Sequence, residues 1–180
     1  MAIRLAFLSL ALAPTTIPAA PADFDPATGY RIAHYRGVVP DAPAGVTRIA
    51  TTEAAQLINS RRAVAIDVTP AEGAIRDDRT GRWRLAEPRQ SIPGAHWFPE
   101  AGRGVLADGI EPWFMGGVRR LAGRSPGRPI IIFCLADCWM SWNAALRLHR
   151  AGFADVRWFA EGIDGWKEAG LPTRPMTPAR

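Results

Sequence analysis

Two cysteines, Cys134 and Cys138, are the residues of this sequence best suited to covalent chemistry, and the chain contains no others. Cys134 directly follows an apolar run, residues 129–133, that is typical of a buried strand, and a helical pattern begins a few residues later. Ligands of open α/β sheets bind outside the carboxyl ends of the strands. A thiol at such a junction faces backbone N–H groups and the positive end of a helix dipole, which favour the thiolate. The sequence therefore predicts that Cys134 is a nucleophile or a sulfur carrier.

The second cysteine, Cys138, lies close enough in sequence to react with a group carried by Cys134. It could resolve a persulfide or sulfenic acid on Cys134 into a disulfide, or make the pair a dithiol relay. A purely structural disulfide is an alternative, although so small a loop would add little stability. A metal site is another alternative, but two thiols are too few ligands and the histidines are scattered (His34, His96 and His149). Inert buried thiols are the third, and we favour a working thiol pair without a metal.

The segments around the cysteines alternate between strand and helix patterns. We predict strands at residues 47–50, 63–68, 95–98, 129–133 and 155–159. Helices are predicted to begin at a cap on Thr51 or Thr52 and at residues 111, 140 and 163. Residues 72–90, which are rich in arginine, are predicted to form a loop. This alternation indicates an α/β fold with a central parallel sheet of five strands covered by helices on both faces. In this sheet the strands that end at Asp67 and Phe133 are expected to be neighbours.

The N-terminus has the pattern of a secretory signal peptide. Arg4 precedes a short apolar run, and small residues lead to an Ala-x-Ala-like cleavage signal ending at Ala22. We therefore expect a signal peptide over residues 1–22, an extended lead-in over 23–45 that lies on the domain, one domain over 46–174 and a C-terminal tail over 175–180. The predicted location is the periplasm, with no membrane span after cleavage.

Charge and composition add a weaker constraint. The net charge is +5, and arginine supplies nearly all of the positive charge because Lys167 is the only lysine. No basic helix or aromatic-interleaved patch indicates nucleic-acid binding, and we expect none. A preference for anionic substrates stays open, and the densest supply of positive charge for it is the segment from Arg76 to Arg89.

Several short motifs together resemble the rhodanese superfamily over residues 46–172. Residues 65–68 are similar to the family's "IDVR" strand, residues 92–95 to its "IPGA" turn, and residues 131–134 to the strand that ends in its active-site cysteine. The segment from Glu161 to Pro172 closely resembles the closing "EGGIDAWKAAGLP" motif. The loop with Cys138 and Trp139 further resembles a narrower group, the periplasmic rhodanese-like proteins of PQQ-dependent catabolism that are named for a Cys-Cys-Trp motif.

This resemblance implies sulfane-sulfur transfer without a cofactor: Cys134 would take sulfur from a donor, hold it as a persulfide and pass it to an acceptor. On this resemblance Cys134 and Cys138 are the catalytic residues. The substrate would contact six others, namely Leu135, Ala136, Asp137, Trp139, Met140 and Asp67. The chain departs from the family in having no cation in the cysteine loop and Thr69 in place of the "IDVR" arginine. Asp137 should also oppose ionisation of Cys134.

Two functions from different classes follow. The first is a periplasmic sulfurtransferase or thiol-disulfide relay that works through Cys134 on a small sulfur donor or a protein thiol, as an accessory to PQQ-dependent alcohol oxidation. The second is a non-catalytic accessory protein that binds a quinoprotein dehydrogenase, its cytochrome c or a metal. An exposed Cys134 at the helix N-terminus would favour the first function, and a buried Cys134 would favour the second.

Overall fold

The centre of the computed structural model, which describes residues 23–180, is a five-stranded sheet in which all neighbouring strands are parallel. Along the chain the elements are β1 (Thr47–Ile49), α1 (Thr51–Asn59), β2 (Val64–Asp67), β3 (Ile75–Arg76), β4 (Trp83–Arg84), β5 (Arg89–Ser91), β6 (His96–Trp97), α2 (Ile110–Gly123), β7 (Ile130–Phe133), α3 (Trp139–Arg150), β8 (Val156–Phe159), α4 (Gly162–Glu168) and β9 (Arg174–Met176). The order across the central sheet is β1-β8-β7-β2-β6. The predicted fold class is confirmed.

Both faces of the sheet are covered by helices, because the central strands are apolar on both sides. Val64 and Ile66 of β2 pack in one cluster of buried residues that includes side chains of α2 and α3. Ala65 points to the opposite face, into a second cluster with side chains of α1 and α4. Since β2 pairs with β7 so that Asp67 lies opposite Phe133, the two strand ends expected to be neighbours do lie side by side.

The structure differs from the predicted elements at several ends. The N-cap of α1 is Ala50, which makes no side-chain capping bond, so the predicted threonine cap is wrong and Thr51 and Thr52 lie inside the helix. The arginine-rich segment is not simply a loop, because β3 and β4 pair within it and β5 pairs with β9. Strands of two or three residues are too short to show a period of two in the sequence.

Both ends of the described chain pack onto the domain. In the N-terminal segment, residues 23–45, the backbone N–H and carbonyl of Arg31 bond to the side chain of Asn143 on α3, at 3.0 and 2.9 Å. Of the predicted tail, residues 175–180, the first two belong to β9. Further along, the Ala179 N–H donates to the Trp97 carbonyl at 2.7 Å. None of the helices between residues 23 and 180 has the length and apolar composition needed to cross a membrane.

Gly162 allows the start of α4 to lie directly against the backbone of the cysteine loop. Its φ is 54°, and a Cβ atom there would overlap the Cys134 carbonyl oxygen, which accepts the Ile163 N–H at 2.9 Å. We expect Gly162→Ala to lower the free energy of unfolding by about 2 kcal/mol more than Gly152→Ala, because overpacking adds to the backbone strain. Gly152 is the matched control, since its φ is 86° but a Cβ atom there meets open space. Urea unfolding of both variants tests this, and equal losses would contradict it.

Candidate active site

The cysteine loop connects β7 to α3 and places its two sulfur atoms in different surroundings. Asp137 adopts a left-handed conformation with φ 48°, and Cys138 follows it in an extended conformation as the N-cap of α3. The helix begins only at Trp139, so the two cysteines do not belong to one helical turn. The turn at Asp137 therefore separates a cysteine on the sheet side from one at the helix N-terminus.

Cys134 lies on the inner side of this loop and is completely buried. Its Sγ is 3.2 Å from Ser141 Oγ and 3.5 Å from the Cys138 carbonyl oxygen. Burial raises the pKa of the Cys134 thiol well above its usual value, and the neighbouring Cys138 sulfur raises that pKa further. The assignment of Cys134 as the thiolate stays a prediction, but in this structure Cys138, and not Cys134, is the N-cap of α3.

Cys138 forms part of the wall of a cavity of about 460 Å³ at the carboxyl end of the sheet. The hydrogen bond from the Cys134 thiol is the largest cause of a pKa lowered to about 7, and burial opposes it. The backbone N–H groups of Met140 and Leu135 and the charge of Arg36 lower the Cys138 pKa further. Cys138 is only 3% exposed, so a reagent reaches it through the cavity. The helix N-terminus, the neighbouring thiol and the charge of Arg36 together favour the thiolate form of Cys138.

The residues predicted to contact substrate divide into three groups. Leu135 and Met140 line the cavity together with Cys138. Ala136 and Asp137 border a separate small cavity of about 90 Å³. Trp139 is part of an aromatic cluster, with ring centroids 5.3 Å from Phe24 and 5.5 Å from Trp142.

Asp67, the sixth of these residues, does not line the cavity. It is fully buried and accepts hydrogen bonds from the Thr69 N–H at 2.8 Å, from the Arg89 guanidinium at 3.0 Å and from the Ser91 hydroxyl at 2.5 Å. These three bonds give the carboxylate a structural role, in which Asp67 positions Arg89. The substrate contact at Asp67 stays a prediction, and this structure places the side chain behind the cavity wall.

Two buried polar atoms of the cavity wall have no hydrogen-bond partner among residues 23–180. They are the Thr69 hydroxyl oxygen and the Nε of Arg89, and Thr69 is only 3% exposed. Buried polar groups without partners are uncommon in folded proteins because each costs about 1–3 kcal/mol. Both residues line the cavity, but these two atoms are shielded from it and do not form part of its accessible surface.

The cavity is lined by more positive charge than the sequence indicated. Arg36, Arg89, Arg103 and Lys167 all contribute to its wall. Residues 85–90 line one side, so part of the arginine-rich segment reaches the site, but Arg89 is the only arginine of that segment in the wall. Arg36, Arg103 and Lys167 come from distant parts of the chain, and no motif marked them.

The described part of the chain contains no group of three or more histidine, cysteine or acidic residues arranged to hold a metal ion. The chemistry that the site supports is nucleophilic attack by the Cys138 sulfur on a small molecule in the cavity. The volume suits a small ligand, and the cations of the wall suit an anionic one.

Comparison with solved structures gives matches of low identity. The chain is similar to the crystal structure of thiosulfate sulfurtransferase from Pseudomonas aeruginosa, with 22% identity and a TM-score of 0.46, over 75% of this chain and 21% of that one. The polysulfide-sulfur transferase homodimer of Wolinella succinogenes matches with 21% identity and a TM-score of 0.43, over 73% of this chain and 80% of that one. The 3-mercaptopyruvate sulfurtransferase of Leishmania major matches with 14% identity and a TM-score of 0.47, over 77% of this chain and 38% of that one.

The chain thus spans about a fifth of the length of the Pseudomonas aeruginosa protein. No curated protein sequence matches the chain. A family comparison is more informative, since residues 50–169 match the rhodanese-like domain along most of the described chain. This match contains four of the five strands of the central sheet, all four helices and the cysteine loop, and β1 lies just before it. The chain therefore belongs to the family of rhodanese-like domains.

Proposed function

We propose that the protein is a sulfurtransferase in which the Cys138 thiolate receives sulfane sulfur from a small donor in the cavity. The observation that carries this proposal is the position of Cys138, which lines the cavity and whose pKa is lowered to about 7. Membership of the rhodanese-like family supports sulfur transfer in general. The sequence motif predicted the nucleophile at Cys134, and the burial of Cys134 moves the proposal to Cys138.

The reaction needs no external oxidant. The Cys138 thiolate attacks the outer sulfur of the donor, a Cys138–sulfur bond forms, and the donor's own bond to that sulfur breaks so that the rest of the donor leaves with the electron pair. An acceptor thiolate then attacks the outer sulfur of the Cys138 persulfide and releases the Cys138 thiolate. The Met140 and Leu135 N–H groups and the Cys134 thiol stabilise negative charge on the Cys138 sulfur. Because Cys138 is half ionised near neutral pH, it is available for attack without a general base.

A thiol-disulfide relay is the second candidate, and the closeness of Cys134 Sγ to the Cys138 backbone, 3.5 Å from its carbonyl oxygen, favours it. After persulfide formation, the Cys134 sulfur could attack Cys138, forming a Cys134–Cys138 disulfide and releasing hydrogen sulfide that carries the Cys134 proton. The raised pKa of Cys134 slows this step, so resolution by Cys134 requires the loop to open. Burial of Cys134 was also the feature expected of a non-catalytic accessory protein, but Cys138 supplies a second thiol that lines the cavity.

The proposal extends to a periplasmic location and an accessory role in PQQ-dependent alcohol oxidation. Its support is the signal-peptide pattern of residues 1–22, which lie outside the described residues, and the resemblance of the cysteine loop to the Cys-Cys-Trp group. A PQQ-dependent dehydrogenase or its cytochrome c is the proposed partner, with a protein thiol as an acceptor. Detection of a mature chain that begins near Asp23 in the periplasmic fraction would test the location, and an intact Met1 would contradict it.

The experiment that tests sulfur transfer is incubation of the reduced, full-length protein with polysulfide, followed by mass spectrometry of the intact chain and its peptides. We expect a mass increase of one sulfur atom on the peptide that contains Cys138, and loss of that increase when cyanide is added as an acceptor. Cys138→Ser should abolish the adduct, whereas Cys134→Ser should retain it. An adduct on Cys134 in the Cys138→Ser variant would overturn the assignment of Cys138.

A further inference from the structure

The segment that precedes the family match contributes directly to the thiol site. Residues 23–45 lie before residue 50, where the rhodanese-like match begins, yet Tyr35 and Arg36 form part of the cavity wall. We propose that this segment completes the active site and that Arg36 is a specificity-determining residue that favours anionic sulfur donors. This inference rests on the proposed function of Cys138.

Backbone pairing places Arg36 directly opposite Cys138. The two residues form an antiparallel bridge, in which the Trp139 N–H donates to the Tyr35 carbonyl at 2.9 Å and the Gly37 N–H donates to the Asp137 carbonyl at 2.8 Å. These bonds flank the pair, so Arg36 and Cys138 form a non-hydrogen-bonded pair of the antiparallel type. Side chains of such a pair lie on the same face, with Cβ atoms about 5 Å apart. The guanidinium of Arg36 is thereby within reach of the cavity mouth beside the sulfur.

The segment is held in this register by buried contacts on both sides of the bridge. Asn143, which is fully buried, bonds to both backbone groups of Arg31 and also donates to the Gly102 carbonyl at 3.0 Å. The Tyr35 hydroxyl accepts the Gly104 N–H at 3.0 Å. A Cβ atom on Gly104 would overlap the Arg31 carbonyl oxygen, so close approach at this point requires glycine. These contacts fix the position of the N-terminal segment over the cysteine loop.

Arg36 is one of the two cations of the cavity wall that have no acidic partner. The charged residues of the wall are Arg36, Glu72, Glu87, Arg89, Arg103 and Lys167. Arg89 is paired with Asp67, and Arg103 is paired with Glu100 at 2.7 Å. Neither Arg36 nor Lys167 forms an ion pair with any residue between 23 and 180. The charge of Arg36 is therefore available to a ligand, and because the side chain is exposed its effect should be moderate and sensitive to salt.

Two alkylating reagents of similar size and different charge test this role on the full-length protein. Rates of Cys138 modification by anionic iodoacetate and neutral iodoacetamide are measured for wild type and Arg36→Gln, at a pH high enough to ionise Cys138 fully. We expect Arg36→Gln to lower the iodoacetate rate by about threefold and to leave the iodoacetamide rate unchanged, since only the anion interacts with the lost charge. The difference in iodoacetate rate between wild type and Arg36→Gln should shrink at high salt. Arg36→Lys should keep most of the wild-type iodoacetate rate, because it retains the charge.

Arg119→Gln is the matched control, because Arg119 is an exposed arginine of α2 that lies outside the cavity wall. Its ratio of iodoacetate to iodoacetamide rates should equal that of wild type. An unchanged ratio in Arg36→Gln, or an equal fall in both rates, would overturn the role of Arg36 while leaving Cys138 as the reactive thiol. Labelling of Cys134 in place of Cys138 in the wild-type protein would instead overturn the proposed function and the inference with it.

Discussion

Cys138→Ser is expected to lower the rate at which iodoacetamide modifies the native, reduced protein near pH 7 by at least roughly fiftyfold. With a pKa of about 7, about half of Cys138 is thiolate at that pH. Burial raises the pKa of Cys134 well above its usual value, so much less of it is thiolate at that pH, and Cys134 is also completely buried. Peptide mapping by mass spectrometry during the reaction gives the two rates separately. In wild type the rate at Cys138 should rise with pH through a midpoint of about 7.

Cys134→Ala provides the control for this result. It retains Cys138 and its place at the start of α3, but it removes the thiol that donates to the Cys138 sulfur. We therefore expect Cys138 to stay reactive while the midpoint of its pH profile moves upward, because the thiolate loses its strongest hydrogen bond. Faster labelling of Cys134 than of Cys138 in the folded wild-type protein would show that the cavity does not lead to Cys138. Under denaturing conditions the two cysteines should react at similar rates.

Asp67→Ala is expected to lower the free energy of unfolding by about 3 kcal/mol, through the loss of a buried ion pair and two further hydrogen bonds. The carboxylate is fully buried, so its removal leaves the Thr69 N–H, the Ser91 hydroxyl and the Arg89 guanidinium without their acceptor. The Arg89 side chain is 18% exposed, so water can replace part of the hydrogen bonding that its guanidinium loses. Thermal or urea unfolding measures the change.

The matched control is Asp155→Ala, which removes an exposed carboxylate that also pairs with an arginine. Asp155 contacts Arg157 at 3.0 Å, but its side chain is 49% exposed. Exposed ion pairs contribute about 0–1 kcal/mol, so this variant should unfold nearly like wild type. The free energy of unfolding of Asp67→Asn should lie between those of Asp67→Ala and Asp155→Ala, because the amide keeps an acceptor but loses the charge opposite Arg89. Equal stability of Asp67→Ala and Asp155→Ala would contradict the structural role given to Asp67.

The fold was largely predictable because its main signals are local. Residues 63–68 and 129–133 are continuous apolar runs, as strands buried on both faces must be, and helical patterns separate them. The sequence therefore indicated the parallel sheet, the placement of β2 beside β7 and the position of the cysteine loop at their carboxyl end. Short strands such as β5 and β9 escaped prediction because each is defined by its distant partner and has no periodic pattern of its own.

The sequence by itself also determined the chemistry, since only Cys134 and Cys138 carry thiols and both lie where a strand passes into a helix. Only the tertiary structure decided which of the two cysteines lines the cavity. The left-handed turn at Asp137 and the pairing of residues 35–37 with 137–139 turn Cys138 to the helix N-terminus and leave Cys134 beneath it. The direction of a loop side chain depends on contacts with segments far away in sequence, and hydrophobic periodicity reports only burial within one element.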